Sequence, residues 1–89
     1  MIKMDFCVYL LRCRDNSLYC GYTKNLDNRL EKHNKGTASK YTSRRRPVRL
    51  VYFEEQETIS SAMKREIQIK IFSKKEKELL VKNQQLNLI

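Results

Sequence analysis

Two tyrosine tripeptides, Cys7-Val8-Tyr9 and Tyr19-Cys20-Gly21, fall on stretches that read as neighbouring strands. Downstream, Arg29 and His33 stand one helical turn apart, and Glu66 is a lone carboxylate on an otherwise apolar helical face. Phenols, a guanidinium, an imidazole and a carboxylate beside a positive surface are parts that can cut a phosphodiester. Arg29 would steady charge on a phosphoryl group in its transition state. His33 could donate to a phosphate oxygen or position water. A phenol titrates near about 10, too high for a good base at neutral pH. Nearby cations (Arg29, a bound metal, a basic loop) would lower it and let Tyr9 accept a proton from water.

Each of these residues also has a plainer reading. Tyr9 and Tyr19 suit cross-strand packing, and Arg29 and His33 suit the surface of a basic helix. Glu66 stands one turn before Lys70, and spacing alone favours an ion pair between them. Its other reading is a divalent metal ligand, since Mg²⁺ keeps most of its waters and often takes only one or two carboxylates plus substrate phosphate. The single histidine has no identifiable partner for a Ser or Cys triad, which argues against a nucleophilic side chain.

Net charge is +9 with a pI near 9.7, a balance that speaks for phosphate-bearing polymers or an anionic membrane as partner. The charge is uneven. From His33 to Leu50 the chain carries Lys35, Lys40, Arg44, Arg45, Arg46 and Arg49 and no acid. Tyr41 and Thr42 inside that run tilt the choice towards nucleic acid, because stacking and hydroxyl contacts suit a sugar-phosphate chain. Cys7, Cys13 and Cys20 form no C-x-x-C pair; they read as reduced, small strand hydrophobes of a cytoplasmic protein. Phe6 to Leu11 is too short for a signal peptide and ends in Arg12, and no segment could span a bilayer.

These residues need a scaffold, and 89 residues suffice for one small domain, read as 1–89, with a thin core. Both alternating sets of Phe6 to Cys13 are apolar or aromatic, so this strand is covered on two faces and central in its sheet. Asp15-Asn16-Ser17 is a turn signal, and Leu18 to Thr23 completes a hairpin. A two-residue turn would place Tyr9 and Tyr19 on opposite faces. A three-residue loop, Arg14-Asp15-Asn16 with Asn16 left-handed, sets Leu11 opposite Tyr19 and puts both phenols on one face. The odd loop is the expectation. A helix follows over Leu26 to Lys35, started by Thr23 or Asn25 and ended by Gly36. A basic loop leads through Pro47 to a third strand, Val48 to Glu54, with Glu54, Glu55 and Glu57 as a solvated acidic patch. A second helix spans Ile59 to Phe72, with Ile59, Ala62, Met63, Ile67 and Ile71 as its apolar stripe and Glu66 on the same face. A third helix covers Lys74 to Asn83. The tail from Leu86 to Ile89 packs back or frays.

Together the pieces resemble the GIY-YIG nuclease family, in its small stand-alone single-domain form, over about Phe6 to Leu80. They are Val8-Tyr9 with Leu10-Leu11, Tyr19-Cys20-Gly21, Asn28-Arg29-Leu30 with His33, Lys40-Tyr41-Thr42, Pro47 through Tyr52, and Ala62 through Glu66 to Lys70. The resemblance implies an α/β (α+β) domain in the order β-β-α-β-α-α, a three-stranded antiparallel sheet flanked by helices. It implies that Tyr9, Tyr19, Arg29, His33 and Glu66 line one site, with Tyr9 as general base, Arg29 on the phosphoryl group and Glu66 on one divalent ion, Mg²⁺ or Mn²⁺. Tyr19 and His33 would support and orient, and Gly21 would keep the strand edge open to the phosphate backbone. Cys7 and Cys20 depart from the glycine and isoleucine of the name motif. No secure match to the family's later asparagine is found, Asn83 being distant, and the added DNA-binding domain usual in the family is not expected within these 89 residues.

The activity expected is that of a metal-dependent DNA endonuclease in repair or processing, cytoplasmic and monomeric. Lys35, Lys40, Tyr41, Thr42, Arg44, Arg45, Arg46, Arg49 and Lys70 would grip nucleic acid, with binding that weakens steeply in salt. The alternative is a non-catalytic or weakly catalytic nucleic-acid-binding module, RNA-associated in one version.

Overall fold

The computed structural model describes residues 5–87, and in it the doubly apolar strand sits where its pattern demands. β1 (Phe6–Arg12) lies between β2 (Leu18–Thr23) and β3 (Arg49–Gln56) in an antiparallel sheet of order β2-β1-β3. Val8 and Leu10 point to one side and pack with Tyr52, Ala62, Ile69 and Val81. Tyr9 and Leu11 point to the other and pack with Cys13, Val48, Leu26 and Leu30. Val8, Leu10 and Leu11 are wholly buried; each such side chain contributes roughly 1.5–3 kcal/mol relative to an exposed one.

The hairpin takes the odd loop. Asn16 is left-handed at φ 71, its N–H donates to the Cys13 carbonyl at 2.9 Å, and the Cys13 N–H donates to the Ser17 carbonyl at 2.9 Å. Leu11 consequently faces Tyr19, and Tyr9 faces Gly21. Helix α1 (Leu26–Lys35) follows, capped by Asn25, whose side chain accepts from the Asn28 N–H, and closed by Gly36 at φ 83.

Inside the basic segment, where a loop was expected, one turn of helix forms as α2 (Lys40–Ser43). Its signal is a cap rather than a period: the Ser39 hydroxyl accepts from the Thr42 N–H at 3.1 Å. Four residues are too few to show apolar periodicity.

Helix α3 (Ile59–Lys70) begins at a Thr58–Ser61 capping box, and here the expected face was wrong. The buried positions are Ala62 and Ile69, whereas Ile59, Met63, Ile67 and Ile71 are exposed, Ile71 at 80%. The two sets are staggered around the helix, and a count of apolar residues cannot choose between them. An ion pair fixes the rotation instead. Arg65 holds Glu54 through Nε at 2.8 Å and Nη2 at 2.8 Å, and the Tyr52 hydroxyl donates to the same carboxylate. Glu54 is thus no member of a solvated acidic patch. Helix α4 (Lys74–Asn87) is longer than expected. Glu78 receives Arg12 at 2.7 Å and Lys74 at 3.2 Å. The Gln84 amide pairs with both backbone groups of Phe53 on the outer edge of β3, at 3.1 and 2.6 Å, which occupies part of an open sheet edge. Leu86 lies on this helix and is exposed; Leu88 and Ile89 lie outside the described residues. Among the described residues no helix is long and apolar enough to cross a membrane.

Candidate active site at the edge of β2

Because β2 is an edge strand, helices on both faces of the sheet can reach around it. Between them opens a cleft of about 480 Å³. Tyr9 from β1, Tyr19 and Gly21 from β2, Arg29 and His33 from α1, and Glu66 from α3 all line it. The residues expected at one site are therefore brought together, although α1 and α3 pack on opposite faces of the sheet.

Gly21 has a packing role that the sequence did not show. A Cβ there would stand 2.5 Å from the Tyr9 hydroxyl and 2.7 Å from its ring carbon Cζ. The missing side chain seats the phenol opposite it in the register, and Gly21 also lines the cleft.

Tyr9 is nearly sealed at 2% exposure, and His33 at 1%. The Tyr9 hydroxyl meets His33 Nε2 at 2.9 Å, and His33 Nδ1 meets the Thr42 hydroxyl at 2.8 Å. Burial raises the Tyr9 phenol well above its ordinary range, with Tyr19 adding to it and Arg29 opposing it. The expectation that cations would pull Tyr9 down is overturned, because desolvation of a phenolate outweighs the field of one guanidinium. Burial, aided by Arg29, lowers the His33 imidazole and keeps it neutral. The resting pair is a neutral phenol against a neutral imidazole.

Tyr19 sits edge-on to His33 at 5.2 Å and stacks on Tyr41 at 5.9 Å. Arg45 covers the Tyr41 ring at 3.8 Å and bonds Asp15 at 3.0 Å, tying the basic segment to the hairpin loop. Glu66 makes the ion pair that its spacing favours and also faces the cleft. Its carboxylate, 17% exposed, pairs with Lys70 at 3.5 Å. No cluster of three or more metal-ligating side chains exists among the described residues. A single cleft-facing carboxylate fits an ion that keeps most of its waters, as Mg²⁺ does, and does not fit a closed structural metal site.

The basic segment divides. Lys40, Arg44 and Arg49 are exposed and make no ion pair among the described residues. Lys35 pairs with Glu31 at 3.0 Å. Arg46 Nε donates to the Ser43 carbonyl at 2.9 Å. Thr42 is wholly buried with its hydroxyl on His33 and Ser39, so it cannot touch nucleic acid as expected. Asn34 was not foreseen at all: its amide pairs with both backbone groups of Val48, at 2.9 and 2.8 Å, and fastens α1 to the start of β3. A run of His-Asn before a glycine is the only trace of it in the sequence. Asn83 is exposed on α4 and does not line the cleft. The three cysteines are free. Burial pushes the Cys7 thiol up to about 11 and the Cys20 thiol up to about 12, as suits small hydrophobes.

A phenol bonded to an imidazole, with a guanidinium and a carboxylate, stands at the edge of a small antiparallel sheet, the arrangement expected of a nuclease domain. The comparison with known families agrees, since residues 5–80 match the model of the GIY-YIG catalytic domain. The chain belongs to the GIY-YIG nuclease family. A UPF0213 protein of Staphylococcus aureus strain Mu50 is 52% identical over 75 residues, covering 84% of this chain and 92% of that one. The solution structure of the UPF0213 protein BH0048 from Bacillus halodurans is similar at a TM-score of 0.57 and 42% identity, covering 86% of this chain and 82% of that one. That of the protein EF2693 from E. faecalis reaches 0.61 at 41% identity, covering 96% and 90%.

Proposed function

We propose that this chain is a DNA endonuclease that hydrolyses phosphodiester bonds with a water activated at Tyr9 and one divalent ion on Glu66. The reading rests on one observation: Tyr9, Tyr19, Arg29, His33 and Glu66 line the same cleft. Neutral His33 at 2.9 Å from the Tyr9 hydroxyl supports a relay, in which water gives its proton to the phenol oxygen as the phenol gives its own to the imidazole. Such a relay needs no resting phenolate, which burial forbids. Arg29 meets the charge that grows on the phosphoryl oxygens. Tyr19 holds the His33 ring from its side. Glu66 would hold Mg²⁺ or Mn²⁺, which would supply positive charge against the phosphate. Lys40, Arg44 and Arg49 are exposed cations that would grip the phosphate backbone, so binding falls steeply with salt. Products carry 5′-phosphate and 3′-hydroxyl ends. The three free thiols suit a reducing cytoplasm, and such an enzyme would serve DNA repair or processing as a monomeric single domain.

Labelled single-stranded, double-stranded and branched DNA incubated with the protein and Mg²⁺ or Mn²⁺ should be cut, and a chelator should stop it. Glu66→Ala should abolish cleavage and spare binding. Intact DNA in every form would refute the enzyme. A second reading, a nucleic-acid-binding module that cuts poorly or not at all, draws on the Lys70 ammonium beside Glu66. It predicts metal-independent, salt-sensitive binding unaffected by Tyr9→Phe. An RNA-associated version would prefer RNA over DNA at equal salt.

A further inference from the structure

We infer that Thr42, backed by Ser39, is a positioning residue that keeps the His33 proton on Nδ1, so that Nε2 presents its lone pair to the Tyr9 hydroxyl. The geometry that carries this is a row of four side chains running away from the cleft. Tyr9 Oη to His33 Nε2 is 2.9 Å, His33 Nδ1 to Thr42 Oγ1 is 2.8 Å, and Thr42 Oγ1 to Ser39 Oγ is 2.9 Å. A neutral imidazole donates from one nitrogen and accepts at the other, so the row can be ordered in two directions.

In the first, Tyr9 donates to Nε2, Nδ1–H donates to Thr42, and Thr42 donates to Ser39. The one donor left over is the Ser39 hydroxyl, which is partly exposed and lines a solvent hollow with Gly36, Thr37, Lys40 and Ser43. In the second, Ser39 donates to Thr42, Thr42 to Nδ1, and Nε2–H to the phenol oxygen. The donor left over is then the Tyr9 O–H, on a side chain that is 2% exposed, meets solvent only through the cleft and has no other bond partner among the described residues. A loose donor costs little in water and much when buried. The first direction prevails.

The consequence for catalysis rests on the nuclease reading above. With Nε2 unprotonated, the attacking water forms its bond to phosphorus while its proton passes to the Tyr9 oxygen. The Tyr9 O–H bond breaks, and that proton bonds to Nε2. The 3′ oxygen leaves with the electron pair of the broken P–O bond and takes a proton from solvent. His33 is left as an imidazolium, still donating from Nδ1 to Thr42, and releases its extra proton to solvent afterwards. In the opposite tautomer Nε2 already carries a proton, and the relay has nowhere to go.

His33 is the single histidine of the chain, so long-range ¹H–¹⁵N spectra of the imidazole need no assignment. The full protein should show protonated Nδ1 and unprotonated Nε2 at neutral pH. Thr42→Val, nearly the same shape without the hydroxyl, should erase that preference, and Thr42→Ser should restore it. Ser39→Ala should weaken it, and is the variant to read if Thr42→Val does not fold. For cleavage, Thr42→Val should lower kcat roughly 10–100-fold with KM unchanged, and Thr42→Ser should recover it. A wild-type imidazole protonated on Nε2, or an unaltered tautomer in folded Thr42→Val, overturns the inference. A protein that cuts no DNA yet shows the tautomer shift would refute the nuclease reading and leave the role of Thr42 standing.

Discussion

The two faces of the sheet solve the problem of buried polarity in opposite ways. Under α1 and α2, Tyr9, His33 and Thr42 are buried and bonded to one another as neutral groups. Under α3, Glu54 and Arg65 are partly buried as a charged pair with the Tyr52 hydroxyl. Burial works against charge on the first face, raising Tyr9 and lowering His33. On the second the same penalty acts on Glu54, but Arg65 and Tyr52 outweigh it and hold the carboxyl below its usual range. A neutral network can pass a proton along with little rearrangement. A charged clamp cannot, and serves to hold α3 in the rotation that turns Glu66 into the cleft. The difference assigns proton movement to one side and alignment to the other.

The sharpest break on the first face is Gly21→Ala. Its methyl must push the Tyr9 phenol from its seat, and a misplacement of about 1 Å in such a site costs on the order of 10²-fold in rate. Cleavage rates should fall by about that factor, while urea midpoints report only the overpacking penalty of about 1–3 kcal/mol. An alanine variant that cuts like wild type would remove the steric account of Tyr9. On the second face, Glu54→Ala strands Arg65 and should lower stability by roughly 1.5–3 kcal/mol, the range for hydrogen bonds to charged groups. Cleavage should fall further than the unfolded fraction explains, because Glu66 loses its aim. Equal loss of fold and activity would mean that the clamp only stabilises.

How far these two faces were legible beforehand differs as they do. The doubly apolar run of β1 announced its central place, and Asn16 announced the loop length that puts both phenols on one face. The members of the cleft were readable through the family resemblance, since spacing alone left each of them a plainer reading. What did not show was pairing. Thr42 read as a surface contact, since a hydroxyl in a basic run looks the same whether it meets phosphate or a buried imidazole. Glu54 read as solvated because its partner Arg65 lies beyond a turn, on the next helix. The state of Tyr9 was misjudged because cations can be counted in a sequence and desolvation cannot.

Titration tests the contrast more gently. His33 is held below the ordinary 6.5, so it stays neutral as pH falls past that value and protonates only lower down. Cleavage should be level from neutral pH through 6.5 and then drop about tenfold per unit below the His33 midpoint. The unfolded chain takes up the proton first, near 6.5. Stability should therefore decline as pH falls from there to the folded midpoint, and His33 should contribute no further change beneath it. An imidazole that titrates above 6.5 by NMR would contradict the buried, neutral pair.

The smallest effect is expected on the outward side of α3, and its smallness is the point. Ile67 and Ile69 are two residues apart on one helix and identical in type, yet Ile67 is 61% exposed and Ile69 is wholly buried. Apolar spacing read from the sequence would put Ile67 in the core and leave Ile69 unremarked. The Arg65 clamp reverses that choice by fixing which way the helix turns. Ile67→Ala should shift stability by no more than about 0.5 kcal/mol, as surface substitutions do, whereas Ile69→Ala should cost about 2–5 kcal/mol through lost burial and a cavity. The same rotation carries Glu66, so the pair of measurements checks the site as well as the core. A costly Ile67→Ala with a mild Ile69→Ala would mean that α3 is turned the other way, and the place of Glu66 in the cleft would change with it.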